Sequence, residues 1–143
     1  MLQDPKVSVM ALDVGGRRIG VAIASVAARI ARPLTTLNTG ETTLQDIKKL
    51  IETESVAALC VGFPRGLDGQ QTQQTGVIQA FADALKKAVD IPVYLQDEAV
   101  TSRQAEAELQ ARGKPYVKGD IDALAATYIL EDFLHDHTEI RAT

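Results

Sequence analysis

The sequence predicts an α/β fold: a five-stranded mixed sheet, made of a three-stranded antiparallel meander plus two parallel strands, flanked by helices. Three observations carry this expectation. Up to Leu37 the chain holds three strand-like runs whose connections are too short to hold a helix. Beyond that point helical and strand patterns alternate, as they do in parallel βα units. The run Val56 to Val61 has no polar residue at all, which is the pattern of a strand covered on both faces.

Val7 to Leu12 is the first strand, rich in β-branched and apolar residues, and it stops at Asp13-Val-Gly-Gly16. After that turn, Arg18 to Ala24 is the second. Ile30 to Leu37 is the third, with Pro33 calling for a sheet edge or a bulge. Thr43-Leu-Gln-Asp46 resembles a capping box, and Leu44, Ile47, Leu50 and Ile51 recur at helical spacing. The buried strand Val56–Val61 comes next, and Gly62 to Gly76 reads as a polar loop of Gly, Gln and Thr. A helix then carries Val77, Ile78, Phe81, Leu85 and Ala88 on one face, and Ile91 to Leu95 is the last strand. Thr101 caps a helix with Ala105 and Leu109 turned inward and Gly113 as its stop. Asp120 caps the final helix, which bears Ile121, Leu124, Ala125, Tyr128 and Ile129. From His135 to Thr143 no periodicity remains, and that tail is expected to fray. Residues 1–143 thus read as a single domain.

Composition narrows the setting. The chain has 143 residues, 45% of them hydrophobic and 24% charged, the balance of an ordinary globular protein. Its one cysteine, Cys60, excludes an internal disulfide and a thiolate zinc cage, and suits a reducing compartment. No apolar run approaches the roughly 18 residues of a membrane span, and the N-terminal pattern is not that of a signal peptide. A cytoplasmic protein without membrane contact is expected. The net charge of −4 argues against a protein that coats nucleic acid by bulk attraction. Basic residues are nevertheless clustered. Val14 to Arg32 carries Arg17, Arg18, Arg29 and Arg32 with no acid, and Leu109 to Gly119 carries Arg112, Lys114 and Lys118 with none. The two segments are either ordinary charged loops or one local anion-binding face.

Three sets of carboxylates stand at element boundaries: Asp13, the pair Asp97-Glu98, and Asp122 in the first turn of the last helix. The carboxyl ends of parallel strands form the crevice where α/β sheets bind ligands. Asp13 and Glu98 would share such a crevice, and a helix packed there would add Asp122. Converging acids repel one another and need neutralising charge. Mg²⁺ meets that need with oxygen ligands and phosphates, and two such ions can cleave a phosphodiester. Singly, Asp122 also fits a helix-start acid and Asp13 a turn residue. The segment Asp13 to Gly20 is also compatible with the phosphate turn of an actin-like kinase, but that fold needs a second lobe that 143 residues do not supply.

Five segments taken together resemble the YqgF family of candidate pre-16S rRNA nucleases, also described as Holliday-junction-resolvase-like. They are Ala11 to Ala22, Ala31-Arg-Pro-Leu34, Val61-Gly-Phe-Pro64 with Asp68-Gly69, Asp97-Glu98 with Thr101-Ser102, and Lys118 to Ala126. The resemblance implies a ribonuclease H-like fold and a metal-dependent nuclease that matures the 5′ end of ribosomal RNA precursor. It places the catalytic, metal-binding triad on Asp13, Glu98 and Asp122, holding Mg²⁺ or Mn²⁺ in a two-metal site. Arg18 and Lys118 become substrate-binding residues. The implied partner is nucleic acid, either structured RNA such as pre-16S rRNA or branched DNA, and the chain would act as a monomer or homodimer. Two alternatives stay open: a Holliday-junction resolvase, and a catalytically weak nucleic-acid-binding module of ribosome assembly. The family usually has an arginine where this chain has Ala99, which removes one phosphate contact. His135-x-His137 reads as a solvated pair, and Cys60 as a small core residue.

Overall fold

The computed structural model describes residues 2–64, 73–98 and 102–142. Its elements are β1 (Ser8–Val14), β2 (Arg18–Ser25), β3 (Arg32–Asn38), α1 (Thr43–Thr53), β4 (Val56–Pro64), α2 (Gln73–Ala88), β5 (Val93–Glu98), α3 (Ser102–Arg112) and α4 (Lys118–Asp136). The strands form one sheet in the order β3-β2-β1-β4-β5. The first three pair antiparallel, while β4 and β5 lie parallel to β1. The expected mixed sheet is therefore the observed one. Pro33 sits on the edge strand, beside a register shift in the pairing of β2 with β3. Both features match what a proline demands of a sheet.

The two faces differ in side-chain size. One face is built from Val9, Ala11, Ala22, Ala24, Ala58 and Cys60, and α4 lies on it through Ile129, Leu130 and Phe133. The other carries the larger Met10, Leu12, Ile19, Val21, Ile23, Leu59 and Val61, under α1 and α2. Small residues let α4 approach the sheet closely. On its outer side α4 is covered in turn by Ala105 and Leu109 of α3. This double coverage explains why α4 is apolar around most of its circumference.

Several boundaries depart from the sequence expectations. β4 runs on through Gly62, Phe63 and Pro64, because each pairs with β5, so the loop expected from Gly62 begins later. α2 already starts at Gln73, and Val77 on it is exposed, while Ile78, Ala82 and Leu85 form its buried stripe. The cap of α1 is Thr42, one residue before the expected Thr43. Val117, not Asp120, is the N-cap of α4; Asp120 stands in the first turn, and its carboxylate accepts the Val117 N–H at 3.0 Å. Gly113 takes the left-handed conformation (φ 70°) just past α3, as its expected stop requires. Thr101 and the 65–72 segment lie outside the described residues.

The fraying expected from His135 is not observed. α4 continues through Asp136, and Ile140 is fully buried against the small-residue face. The Arg29 guanidinium donates to the carbonyls of Leu134 and Ile140, tying down the helix end and the segment after it. His137 is not merely solvated either. Its ring packs 4.3 Å from Phe133 and 5.4 Å from Tyr94, and its Nδ1 lies 2.9 Å from Glu139.

Candidate active site at the head of the sheet

β1, β4 and β5 run in the same direction, so their carboxyl ends meet at one end of the sheet. Asp13 is the second-last residue of β1 and Glu98 the last of β5, so the expected acids belong to the strands themselves rather than follow them. Along β1, Val9 and Ala11 face α4, and the pleat puts Asp13 on that same face.

Glycines decide what stands over Asp13. Its cross-strand partner on β2 is Gly20. A β-carbon at Gly20 would lie 1.9 Å from the Asp122 carbonyl oxygen and 2.8 Å from the Ala123 nitrogen. The first turns of α4 thus rest directly on the β2 backbone, which only glycine permits. On β4, a β-carbon at Gly62 would lie 2.4 Å from Cδ1 of Ile129. The Thr36 hydroxyl donates to the Gly119 carbonyl at 2.7 Å and pins the start of the helix to β3. Together these contacts hold Asp122 beside Asp13.

The electrostatics report that proximity. Burial, and then the negative charge of Asp122, push the Asp13 carboxyl up to about 6 from 3.8. Arg18, also on β2, donates from Nε to Oδ2 of Asp122 at 2.6 Å, with both side chains about one-third exposed or less. The two acids are therefore unequal, since Asp122 is neutralised and no donor among the described residues reaches Asp13. Glu98 pairs through its backbone register with Pro64, and its side chain lies outside the described residues. Among the described residues no three His, Cys, Asp or Glu side chains come together as a ready cation site.

The remaining cations divide. Lys118 is exposed at the first residue of α4, on the Asp122 end of that helix. Arg29 is at the opposite end of α4, on the Leu134 and Ile140 carbonyls, and does not join a common anion-binding face. Cys60 is fully buried in the sheet. Two features escaped the sequence reading. One is the direct Arg18–Asp122 bond, for which no signal exists in residues 104 apart. The other is the role of Gly20, which a lone glycine inside an apolar strand does signal.

The sequence model of one family, RuvX, described as Holliday junction resolvase, matches residues 7–136. The chain belongs to the RuvX family. This is the YqgF family that the five segments resemble, and it is a family of nucleases. A relative from Chloroflexus aurantiacus, named as a candidate pre-16S rRNA nuclease, is 45% identical over 130 residues, covering 88% of this chain and 85% of the relative. One of the same name from Rickettsia typhi is 35% identical over 135 residues, covering 92% of this chain and 86% of its own. Thermus thermophilus RuvC, solved with a Holliday junction substrate, superposes with a TM-score of 0.57 at 16% identity over 95% of this chain and 98% of its own. The fowlpox virus Holliday junction resolvase does so at 0.53 and 10%, over 93% and 99%. These two structures establish the ribonuclease H-like fold of this RuvX-family chain.

Proposed function

We propose that this RuvX-family nuclease is metal-dependent, that it hydrolyses phosphodiester bonds at Asp13, Glu98 and Asp122, and that its substrate is the 5′ region of a ribosomal RNA precursor in the cytoplasm. The observation that carries the reading is the crowding of Asp13 by Asp122 at the carboxyl end of β1, which raises the Asp13 pKa. A buried carboxylate facing a second one, with no donor of its own, is a donor set that suits a hard divalent cation. Asp13 and Asp122 would hold it. β5 delivers the backbone of Glu98 at the same end of the sheet, and two ions would engage all three acids. When bound, Mg²⁺ or Mn²⁺ supplies Lewis-acid activation of water and of the scissile phosphate.

The chain's own residues do the rest. Gly20 and the Thr36–Gly119 bond keep Asp122 in place. Lys118, exposed at the helix start with no ion-pair partner among the described residues, meets a substrate phosphate. Arg18 balances Asp122 until substrate and metal arrive, and then has a phosphate to turn to. That same ion pair favours a second reading, a nucleic-acid-binding module of ribosome assembly with weak catalysis, because one of the acids is already neutralised.

Matched substrates decide between them: a 5′-extended ribosomal RNA precursor fragment, a duplex DNA and a four-way junction, each with and without Mn²⁺. The nuclease reading expects Mn²⁺-dependent cleavage, preferentially of the RNA. It also expects a loss of about a hundredfold or more in Asp13→Asn, Glu98→Gln and Asp122→Asn with RNA binding retained. Junction cleavage in place of RNA cleavage would make the chain a resolvase. Binding without cleavage by the wild type would favour the module.

A further inference from the structure

We propose that the hollow between α3, the segment 113–117 and the first turns of α4 is a base-binding subsite. It takes one unpaired nucleotide of the strand whose phosphate lies at the acid pair. The proposal rests on the nuclease reading above and names part of its substrate. The cavity measures about 260 Å³. At roughly 30 Å³ per water that is the room of about nine waters, which admits one planar heterocycle and leaves space around it.

Its lining combines apolar walls with charged groups and includes an aromatic ring on which a base can stack. Leu109, Leu124, Pro115 and the ring of Tyr116 line it, with Arg112 and Lys114 also in the lining. Lys114 is exposed and has no ion-pair partner among the described residues, and Arg112 shares its charge with Glu108 at 3.1 Å. Asp120 also borders the hollow, but its carboxylate is engaged by the Val117 N–H. An aromatic ring, prolyl and leucyl walls and cations together match a nucleobase carrying its own phosphate. A purely apolar ligand would leave the cations unused, and a free phosphate would leave the apolar walls wet.

The position matters as much as the lining. Asp120, Ala123 and Leu124 turn toward the hollow. Asp122, two residues or about 200° round the helix from Asp120, turns toward Asp13. One helix thickness, about 10–12 Å, therefore separates the hollow from the acid pair. Lys118, at the exposed first residue of α4, lies four residues before Asp122 and so on the same face of the helix as the acid pair. A strand crossing that end of α4 would set one phosphate at the acids, the next at Lys118, and a base in the hollow. A paired base has its face stacked and its edge occupied, so only an unpaired nucleotide can enter. The hollow would thus select single-stranded or frayed substrate beside the cut.

Binding without metal tests this apart from cleavage. The probe is a fluorescein-labelled RNA hairpin with a 5′ single-stranded tail, followed by anisotropy in EDTA, with an abasic nucleotide walked along the tail. At one tail position the abasic change is expected to weaken wild-type binding about tenfold. Tyr116→Ala should weaken binding of the intact RNA by a similar factor, yet lose nothing more on that abasic RNA, because both changes remove one contact. Tyr116→Phe, which keeps the ring, should bind as wild type does, and this separates stacking from a general loss of folding. If the two factors multiply at every tail position, or Tyr116→Ala binds normally, the subsite is refuted while wild-type cleavage leaves the nuclease reading standing. If the wild type binds no RNA in EDTA the subsite is refuted, and the nuclease reading is then decided by Mn²⁺-dependent cleavage alone.

Discussion

Asp13→Asn replaces a crowded carboxylate by a neutral group of the same shape, and the structure sets the size of the effect. Burial and Asp122 raise the Asp13 pKa from 3.8 to about 6. At about 1.4 kcal/mol per pKa unit, ionised Asp13 lowers the stability of the metal-free fold by about 3 kcal/mol. The shift is upward, so the folded state holds the proton more tightly than the unfolded chain does. The favourable contribution is complete below about pH 4, declines as pH rises towards 6, and is gone above it. The asparagine has no such dependence, but its amide is partly buried without a partner, which costs about 1 kcal/mol. In EDTA at pH 8 the variant should therefore be more stable by about 2 kcal/mol, a rise in Tm of about 8 °C for a chain of this length. At pH 4 the advantage should vanish or reverse slightly. Thermal melts of both proteins across this range, at constant ionic strength, measure the difference directly. Millimolar Mn²⁺ should raise the wild-type Tm and leave the variant's nearly unchanged. A difference that is the same at pH 4 and pH 8, or a variant less stable at pH 8, would refute the crowding argument.

Three further outcomes follow from named contacts. Gly20→Ala drives a β-carbon into the Asp122 backbone, so urea unfolding should show a loss of about 3 kcal/mol or more, and Mn²⁺ should no longer stabilise the protein. Lys118→Ala should weaken RNA binding and flatten its salt dependence by about 0.7–0.9 log units per log unit of salt, while the Mn²⁺-induced rise in Tm persists. Arg29→Ala removes the donors to the Leu134 and Ile140 carbonyls; about 2 kcal/mol of stability should go, with faster amide exchange over 137–142 and unchanged Mn²⁺ binding.

The sheet was readable in the sequence because its signals are local. Val56–Val61 announces a strand buried on both faces, Pro33 an edge, and the short turns a meander. The places of Asp13 and Asp122 at element ends were readable too, but the crowding of one by the other was not. What stayed hidden depends on partners far along the chain. Arg29 looks like one more cation in a basic run, and only the fold reveals the carbonyls at the far end of α4 that it serves. For the same reason the 137–142 segment has no periodicity to read, although Ile140 fills a place in the core. The sorting of alanines to one face and larger residues to the other was present in the alternation of β1 and β2. It acquires meaning only once α4 is known to lie on the alanine side.

The seating of α4 on Gly20 also sets when the site can exist. Arg18 and Asp122 are 104 residues apart, and α4 leaves a translating ribosome only after all five strands of the sheet. The meander, β4 and β5 can pair before that, because their contacts close earlier in the chain. Until α4 docks, Asp13 has neither the Asp122 carboxylate beside it nor the arginine bridge to that carboxylate. The pairing of Asp13 with Asp122 is therefore assembled only when this long-range contact closes. Any fluctuation that lifts the first turn of α4 from the sheet takes that pair apart without unfolding the rest.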